Sequence, residues 1–187
     1  RFRLATNLIG GPALSPAEFA KRTPDTTLGA SLTIVAPFGQ YYADRLLNTG
    51  SNRWAFKPEL GLSQPVGPWS LELSAGALVF GDNPHFFGGV RREQDPIAAF
   101  QAHVAYDFAP RFWLAADATY YAGGRSTVNG IHSDDRQEAT RIGLTLAVPL
   151  AERVSVKLAW TDTIETRLSG SGFTTYAVAL QFYWFDP

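Results

Sequence analysis

Residues 173–184 read FTTYAVALQFYW, and this stretch decides the fold of the chain. Every second residue is large and apolar or aromatic, whereas most residues between them are small or polar. An alternation with period 2 predicts a β-strand. A large apolar face opposite a small polar face is typical of a strand with lipid on one side and a wet lumen on the other. The apolar face carries Tyr176, Val178, Leu180, Phe182 and Trp184.

The composition favours a protein that crosses a membrane with strands. Of the 187 residues, 45% are hydrophobic and 18% are charged, with 13 Phe, 7 Tyr and 5 Trp. No apolar run approaches the roughly 18 residues of a transmembrane helix. Because only helices and closed barrels satisfy the backbone in lipid, a membrane protein of this composition is expected to be an antiparallel, up-and-down β-barrel. The length fits one domain, residues 1–187.

The charge distribution argues against a nucleic-acid-binding protein, and the cysteine content argues against disulfides and thiolate metal sites. The 16 basic and 17 acidic residues are dispersed and give a net charge of -1, without the basic stripe that nucleic acid binding requires. The absence of cysteine excludes disulfides and thiolate metal sites, and we expect neither a metal nor a cofactor. The chain opens on RFRLATNL without a charged-then-apolar leader, so we expect a processed or truncated N-terminus.

The same alternation recurs along the chain and predicts nine strands. Tight turns near 65, 109 and 151 alternate with longer connectors near 45, 88, 130 and 169, as in outer-membrane barrels. Ser15, Pro16 and Glu18 form a capping-box pattern that predicts a short helical turn within 15–21. The predicted strands are 2–8, 26–36, 54–64, 69–80, 97–108, 112–121, 140–149, 154–161 and 173–184.

Hairpin pairing and strand count extend this prediction. Pairing residue 147 with 155, and 63 with 70, keeps every residue on its own face, as a hairpin requires. Nine is an odd number, so a sealed barrel needs at least one further strand, and we expect about 12 in the whole barrel. Aromatic residues near strand ends predict interfacial girdles. These are Trp54, Trp69, Tyr106, Phe108, Phe112, Tyr120, Trp160 and Trp184.

Charged residues on the polar faces are the candidate lumen residues. They can either pair into a network that fills the lumen or leave a polar path for a solute. His103 is expected within cross-strand reach of Asp117, but no serine or cysteine is placed beside them and no G-x-S-x-G occurs, so we expect no enzyme. The set is Arg3, Lys57, Glu59, Glu72, His103, Asp107, Asp117, Arg141 and Lys157.

The connector near residue 88 holds a second candidate set, Phe86, Phe87, Arg91 and Arg92. At an external mouth, these aromatics could contact a hydrophobic or aromatic solute. They could equally fold inward as a plug or belong to the interfacial girdle. The arginines could cross-link loops or meet the phosphates of lipopolysaccharide. The residues alone leave these alternatives open.

Several segments resemble one bacterial family. PALSPAEF (12–19), NRWAFKPELG (52–61), FFGG with REQDP (86–96), YYAGGRSTVNG (120–130) and DDRQ (134–137) occur in the order found in the meta-pathway phenol degradation family. The resemblance covers nearly the whole chain. It implies an outer-membrane barrel of the kind often labelled a transporter, with a signal peptide and N-terminal strands that this chain lacks. It implies no catalytic residues.

Three hypotheses follow for function. The first is an outer-membrane barrel for uptake or passage of small hydrophobic or aromatic compounds. The second is a structural or surface-interaction barrel without transport activity. The third is a soluble ligand-binding barrel, whose apolar face would point inward.

The expected partners are those of a bacterial outer-membrane barrel: membrane lipid, lipopolysaccharide, possible aromatic solutes, and the barrel assembly machinery. The aromatic end of 173–184 resembles the C-terminal signal that this machinery recognises. It departs from that signal because Phe185, Asp186 and Pro187 follow Trp184.

Overall fold

Antiparallel strands dominate the computed structural model, which describes residues 1–19, 21–168 and 172–183. A four-residue helix, α1 (Pro16–Phe19), and a 3₁₀ turn (Phe87–Gly89) are the helical elements of that part. None of the helices described is long and apolar enough to cross a membrane. In chain order the strands are β1 (Phe2–Ile9), β2 (Thr27–Val35), β3 (Ala55–Val66), β4 (Trp69–Phe80), β5 (Asn83–Phe86), β6 (Val90–Gln94), β7 (Ile97–Ala109), β8 (Phe112–Gly123), β9 (Ser126–Val128), β10 (Ile131–His132), β11 (Gln137–Ala151), β12 (Val154–Leu168) and β13 (Thr175–Phe182).

Nine strands form one sheet in which neighbours in the chain are neighbours in space. Its order is β1, β2, β3, β4, β7, β8, β11, β12 and β13, with antiparallel pairing throughout. These correspond to the nine predicted strands, which confirms the up-and-down β fold. Among the described residues no pairing joins β1 to β13, so the sheet is not closed.

The two faces of the sheet differ in side-chain size and exposure. On one face large apolar residues stay exposed, among them Leu73 at 59% and Val178 at 73%. On the other, small residues are buried, among them Ala99 at 3% and Ala115 at 1%. Exposing a continuous apolar face to water would forfeit its hydrophobic stabilisation, whereas lipid suits it. The hypothesis of a soluble barrel with an inward apolar face is therefore wrong.

The tight turns fix a register that differs from the predicted pairing by two residues. Val66 pairs with Trp69 around Gly67 and Pro68, with Gly67 at a φ of 57°, and this sets Ser63 opposite Glu72. At the turn between β11 and β12, Ala147 lies opposite Lys157. The predicted partners, residues 70 and 155, were wrong because the turns are centred one residue later along the chain. A shift of two residues leaves every side chain on its predicted face.

Aromatic residues mark both ends of the sheet. Near the tight turns, ring centroids lie 4.7 Å apart for Trp69 and Tyr106, and 4.8 Å apart for Phe108 and Phe112. At the other end Trp54 stacks on Phe56 at 6.2 Å. Trp160 lies in the middle of β12, because this strand continues to Leu168, and Trp184 lies outside the described residues.

The predicted helical turn and its capping box are present. The backbone N–H of Ser15 donates to the Glu18 carboxylate at 2.8 Å, and the Glu18 N–H lies 3.4 Å from the Ser15 hydroxyl. Hydrogen bonds from the Ser15 hydroxyl and backbone lower the pKa of Glu18. The box caps the N-terminus of α1 within the connector between β1 and β2.

The long connectors contain a second sheet that the sequence did not predict. Strands β5, β6, β9 and β10 pair in the order β10, β9, β6, β5. Two connectors that are distant in the chain, 81–96 and 124–136, therefore form one layer at the end opposite the tight turns. Because outer-membrane barrels place short turns in the periplasm, this layer is assigned to the external end.

The outward apolar face predicts a specific stability difference. Leu73→Arg places a charge on the exposed apolar face near the middle of β4 and should cost about 2–4 kcal/mol of unfolding free energy in lipid vesicles. Ser74→Arg, its neighbour on the opposite face, should cost roughly 1 kcal/mol or less. Denaturant titration of the protein refolded in vesicles measures both values. Equal losses would contradict the assignment of the faces.

Candidate functional site

Three predicted lumen residues form one row across the sheet. Glu72 of β4 lies opposite His103 of β7, and His103 lies opposite Asp117 of β8. The Nδ1 of His103 contacts the Oδ1 of Asp117, which confirms their expected proximity. The hydroxyl of Ser63 lies 3.4 Å from Glu72 and extends the row onto β3. The row thus places two carboxylates, an imidazole and a hydroxyl side by side on the small-residue face.

A second group connects β1 to β3. The Nη2 of Arg3 lies 3.4 Å from the Oε1 of Glu59, and the Nζ of Lys57 contacts the other oxygen of that carboxylate. Arg3 also donates to the hydroxyl of Ser31 at 3.2 Å. The Glu59 side chain is 15% exposed and receives both cations, so it is the centre of this group.

The remaining predicted lumen residues lie apart from these two groups. Arg141 donates to the Thr161 hydroxyl at 3.3 Å and lies 4.3 Å above the ring of Phe173. The Nζ of Lys157 lies 5.1 Å from the ring centre of Trp113. Asp107 is exposed near a tight turn and lies opposite Trp113 in the β7–β8 ladder. The nine residues share a face but do not form one cluster.

A cavity of about 420 Å³ lies on this face beside the first row. Glu72, His103 and Asp117 line it, together with neutral side chains that the sequence analysis did not select. Ser74 and Thr119 are hydrogen-bonded to Gln101, at 3.3 Å and 3.4 Å. The only sequence signal that could have selected Ser74, Thr119 and Gln101 is their position on the small, polar face of the period-2 pattern. This wall offers donors and acceptors that can hold a polar group of a solute.

Three of the predicted loop residues belong to strands of the external sheet, and Phe87 lies in the 3₁₀ turn between β5 and β6. Arg91 forms ion pairs with Asp82 and Glu93, and Phe87 is exposed. The guanidinium of Arg92 lies 5.1 Å from the ring centre of Phe86. The structure therefore separates the set: Phe86 and Arg92 contact each other, whereas Arg91 pairs with acids at the surface.

Asp135 ties the two ends of the connector 124–136 together. It accepts the backbone N–H of Ser126 at 2.7 Å and the hydroxyl of the same residue, which is 3% exposed. Burial alone would raise the pKa of Asp135. The hydrogen bonds from Ser126, together with the charge of Arg92, outweigh burial and lower the pKa.

This lowered pKa predicts the pH range in which the tie breaks. A depressed carboxyl pKa stabilises the fold above the ordinary value of about 3.9, and the contribution is lost as pH falls through the lower folded value. The NMR shift of the Ser126 amide should therefore stay constant down to about pH 4 and move only below it. Asp135→Asn should shift that resonance at every pH and abolish its titration. A midpoint above the ordinary value would contradict this assignment.

The nine-stranded sheet is similar to that of an outer membrane channel from Pseudomonas putida F1, known from its crystal structure. The TM-score is 0.72 and the identity 24%, over 91% of this chain and 62% of the channel chain. This chain thus spans less than two thirds of that protein's length. A search of curated proteins found no match. The shared fold, with its exposed apolar face, is that of an outer-membrane β-barrel.

The family is shown by a second comparison. Residues 4–178 match the family model described as "Putative MetA-pathway of phenol degradation". The chain belongs to this family, which confirms the resemblance found in its loop and strand segments.

Proposed function

We propose that the protein forms a channel through which small hydrophobic or aromatic compounds pass the outer membrane. One observation carries the proposal. The inward face is built largely from small residues, so a cavity of about 420 Å³ remains beside Glu72, His103 and Asp117. Two facts about similar proteins support it: the structural neighbour is an outer membrane channel, and the family description refers to phenol degradation.

The polar wall suits a solute that combines a ring with a hydroxyl group. Conduction requires binding that is favourable enough for entry and weak enough for exit. Because Lys57 and Arg3 pair with Glu59, these three charges partly neutralise each other, and His103 contacts Asp117. A phenol-like hydroxyl can donate to Glu72 or Asp117 and exchange hydrogen bonds with the neutral side chains of the wall.

A second candidate function is a structural or surface-interaction barrel without transport activity. The observation that favours it is the external sheet, which joins two connectors and carries the charged pairs of Arg91. Such a layer could contact lipopolysaccharide. Deletion of the connector 124–136 would then change adhesion or envelope integrity while leaving solute uptake unchanged.

Gly61 allows a direct test of the channel. A Cβ placed there would lie no closer than 4.0 Å to the nearest atoms, and Gly61 lines the lumen cavity. Gly61→Trp should therefore fill the cavity without disturbing the backbone and reduce uptake of phenol-like solutes into vesicles to near the protein-free control. Leu60→Trp adds the same ring on the outer face, where Leu60 is 54% exposed, and should retain the uptake of the unmodified protein.

Uptake must also be measured in protein-free vesicles, because small aromatic solutes cross lipid alone. Uptake by the unmodified protein that does not exceed the protein-free vesicles would contradict the channel. Equal uptake by the Gly61→Trp and Leu60→Trp proteins would contradict the assigned path.

A further inference from the structure

A second cavity, of about 280 Å³, lies in the external layer, between the connector 36–54 and the loop strands β5 and β6. Tyr41, Leu46 and Phe86 give it apolar surface, and Arg53 and Arg92 give it two guanidinium groups. No Asp or Glu of the described residues lines it. A small cavity with two cations and no acid in its wall is suited to an anion.

Both arginines present a buried N–H group without an acceptor. Within the described part of the chain, the Nη1 of Arg53 and the Nε of Arg92 are two of three buried side-chain polar atoms that lack a hydrogen-bond partner. The third is the hydroxyl of Thr163 in the main sheet. A buried donor without a partner is costly, and more so when it is charged. Both arginines line the cavity, so an anion bound there would lie beside guanidinium groups that the protein leaves incompletely hydrogen-bonded.

Neighbouring groups hold the two guanidiniums in place. The Nη2 of Arg53 donates to Gln94, and the flat face of Arg53 lies 4.4 Å from the ring centre of Phe80. Arg92 lies over Phe86 in the same way. Because a ring covers one face of each guanidinium, a ligand would approach its edge or its other face.

Two carboxylates near the arginines act on them through space, but their hydrogen bonds go to other residues. Asp82 forms an ion pair with Arg91, and Asp135 accepts two hydrogen bonds from Ser126. Burial lowers the pKa of Arg53, and the charge of Arg92 lowers it further, against an opposing effect of Asp82. The two cations thus stand close enough to repel each other, and a bound anion would relieve that repulsion.

The back wall of the cavity is already ordered. Asn83, which is 2% exposed, donates to the Tyr41 hydroxyl at 2.9 Å and accepts from Asn52 at 2.9 Å and from the backbone of His85 at 3.0 Å. The backbone N–H of Gly88 donates to the carbonyl of Ala43 at 2.9 Å and joins the connector to the loop sheet. A ligand would therefore bind a preorganised site, in which few side chains or loops have to become ordered on binding.

We propose that this cavity binds a small organic carboxylate, with its charged end at Arg53 and Arg92 and its apolar part against Leu46, Tyr41 and Phe86. Guanidinium edges match the planar geometry of a carboxylate, and the volume is near the lower end for ligand pockets. A phosphate has similar oxyanion chemistry, either free or on lipopolysaccharide, but it offers nothing to the apolar wall. The site lies in the external layer and does not rest on the proposed channel.

Calorimetric titration of the detergent-solubilised full-length protein with benzoate tests the proposal. We expect saturable binding of benzoate and none of benzyl alcohol, which has the ring without the charge. Arg53→Gln and Arg92→Gln should each weaken binding by about tenfold or more, the loss expected for a hydrogen bond to a charged group. Arg45→Gln is the matched control, because Arg45 is exposed in the same connector and lies over Tyr42 outside the cavity. It should bind benzoate normally.

Arg53→Lys separates recognition from folding, because it keeps the charge and loses the planar fork. It should bind benzoate with an affinity between those of the unmodified protein and Arg53→Gln, and benzoate should raise its Tm by less than it raises that of the unmodified protein. No saturable binding of benzoate to the unmodified protein would overturn the proposal. So would an affinity of both Gln variants equal to that of the unmodified protein, or binding only of inorganic phosphate or of vesicles that contain lipopolysaccharide.

Discussion

A backbone amide in the hydrocarbon layer has no water to bond with, and the pairing of every strand with its neighbours follows from this constraint. In the nine-stranded sheet each internal strand is paired on both sides, with ladders of up to 15-residue strands such as β11 and β12. Once the backbone is satisfied in this way, side chains can only point to one face or the other. The alternation of large apolar and small polar residues is the consequence, and it inverts the arrangement of a soluble protein.

The inversion explains where side chains are buried. The best-buried residues of the sheet are small, such as Ala115, Ala147 and Ser155, while Leu and Val side chains lie exposed on the other face. Small inward residues leave room beside the Glu72–His103–Asp117 row, so the same pattern that suits lipid also creates the lumen cavity. Polar groups on that wall are tied to one another across neighbouring strands, which positions them without filling the space.

Sequence reasoning predicted what depends on local periodicity. The nine strands, their faces and the contact of His103 with Asp117 all follow from a period of 2 and from hairpin parity. Register was off by two residues because the centre of each turn, such as Gly67 and Pro68, is set by backbone geometry that alternation does not encode. The external sheet was missed because β6 and β9 pair across more than 30 residues. Arg53 was missed for a similar reason, since its cavity depends on contacts of Asn83 in β5 with Tyr41 and Asn52, which are 42 and 31 residues away in the chain.

The absence of cysteine allows the central claim to be tested one position at a time. Single cysteines placed at residues 70 to 75 of β4, in the protein refolded in lipid vesicles, would carry a fluorescent label that brominated lipid quenches on contact. The account predicts strong quenching at 71, 73 and 75, and weak quenching with ready reaction toward a water-soluble thiol reagent at 70, 72 and 74. Uniform quenching, or the opposite alternation, would contradict an apolar face in lipid and a polar face in the lumen.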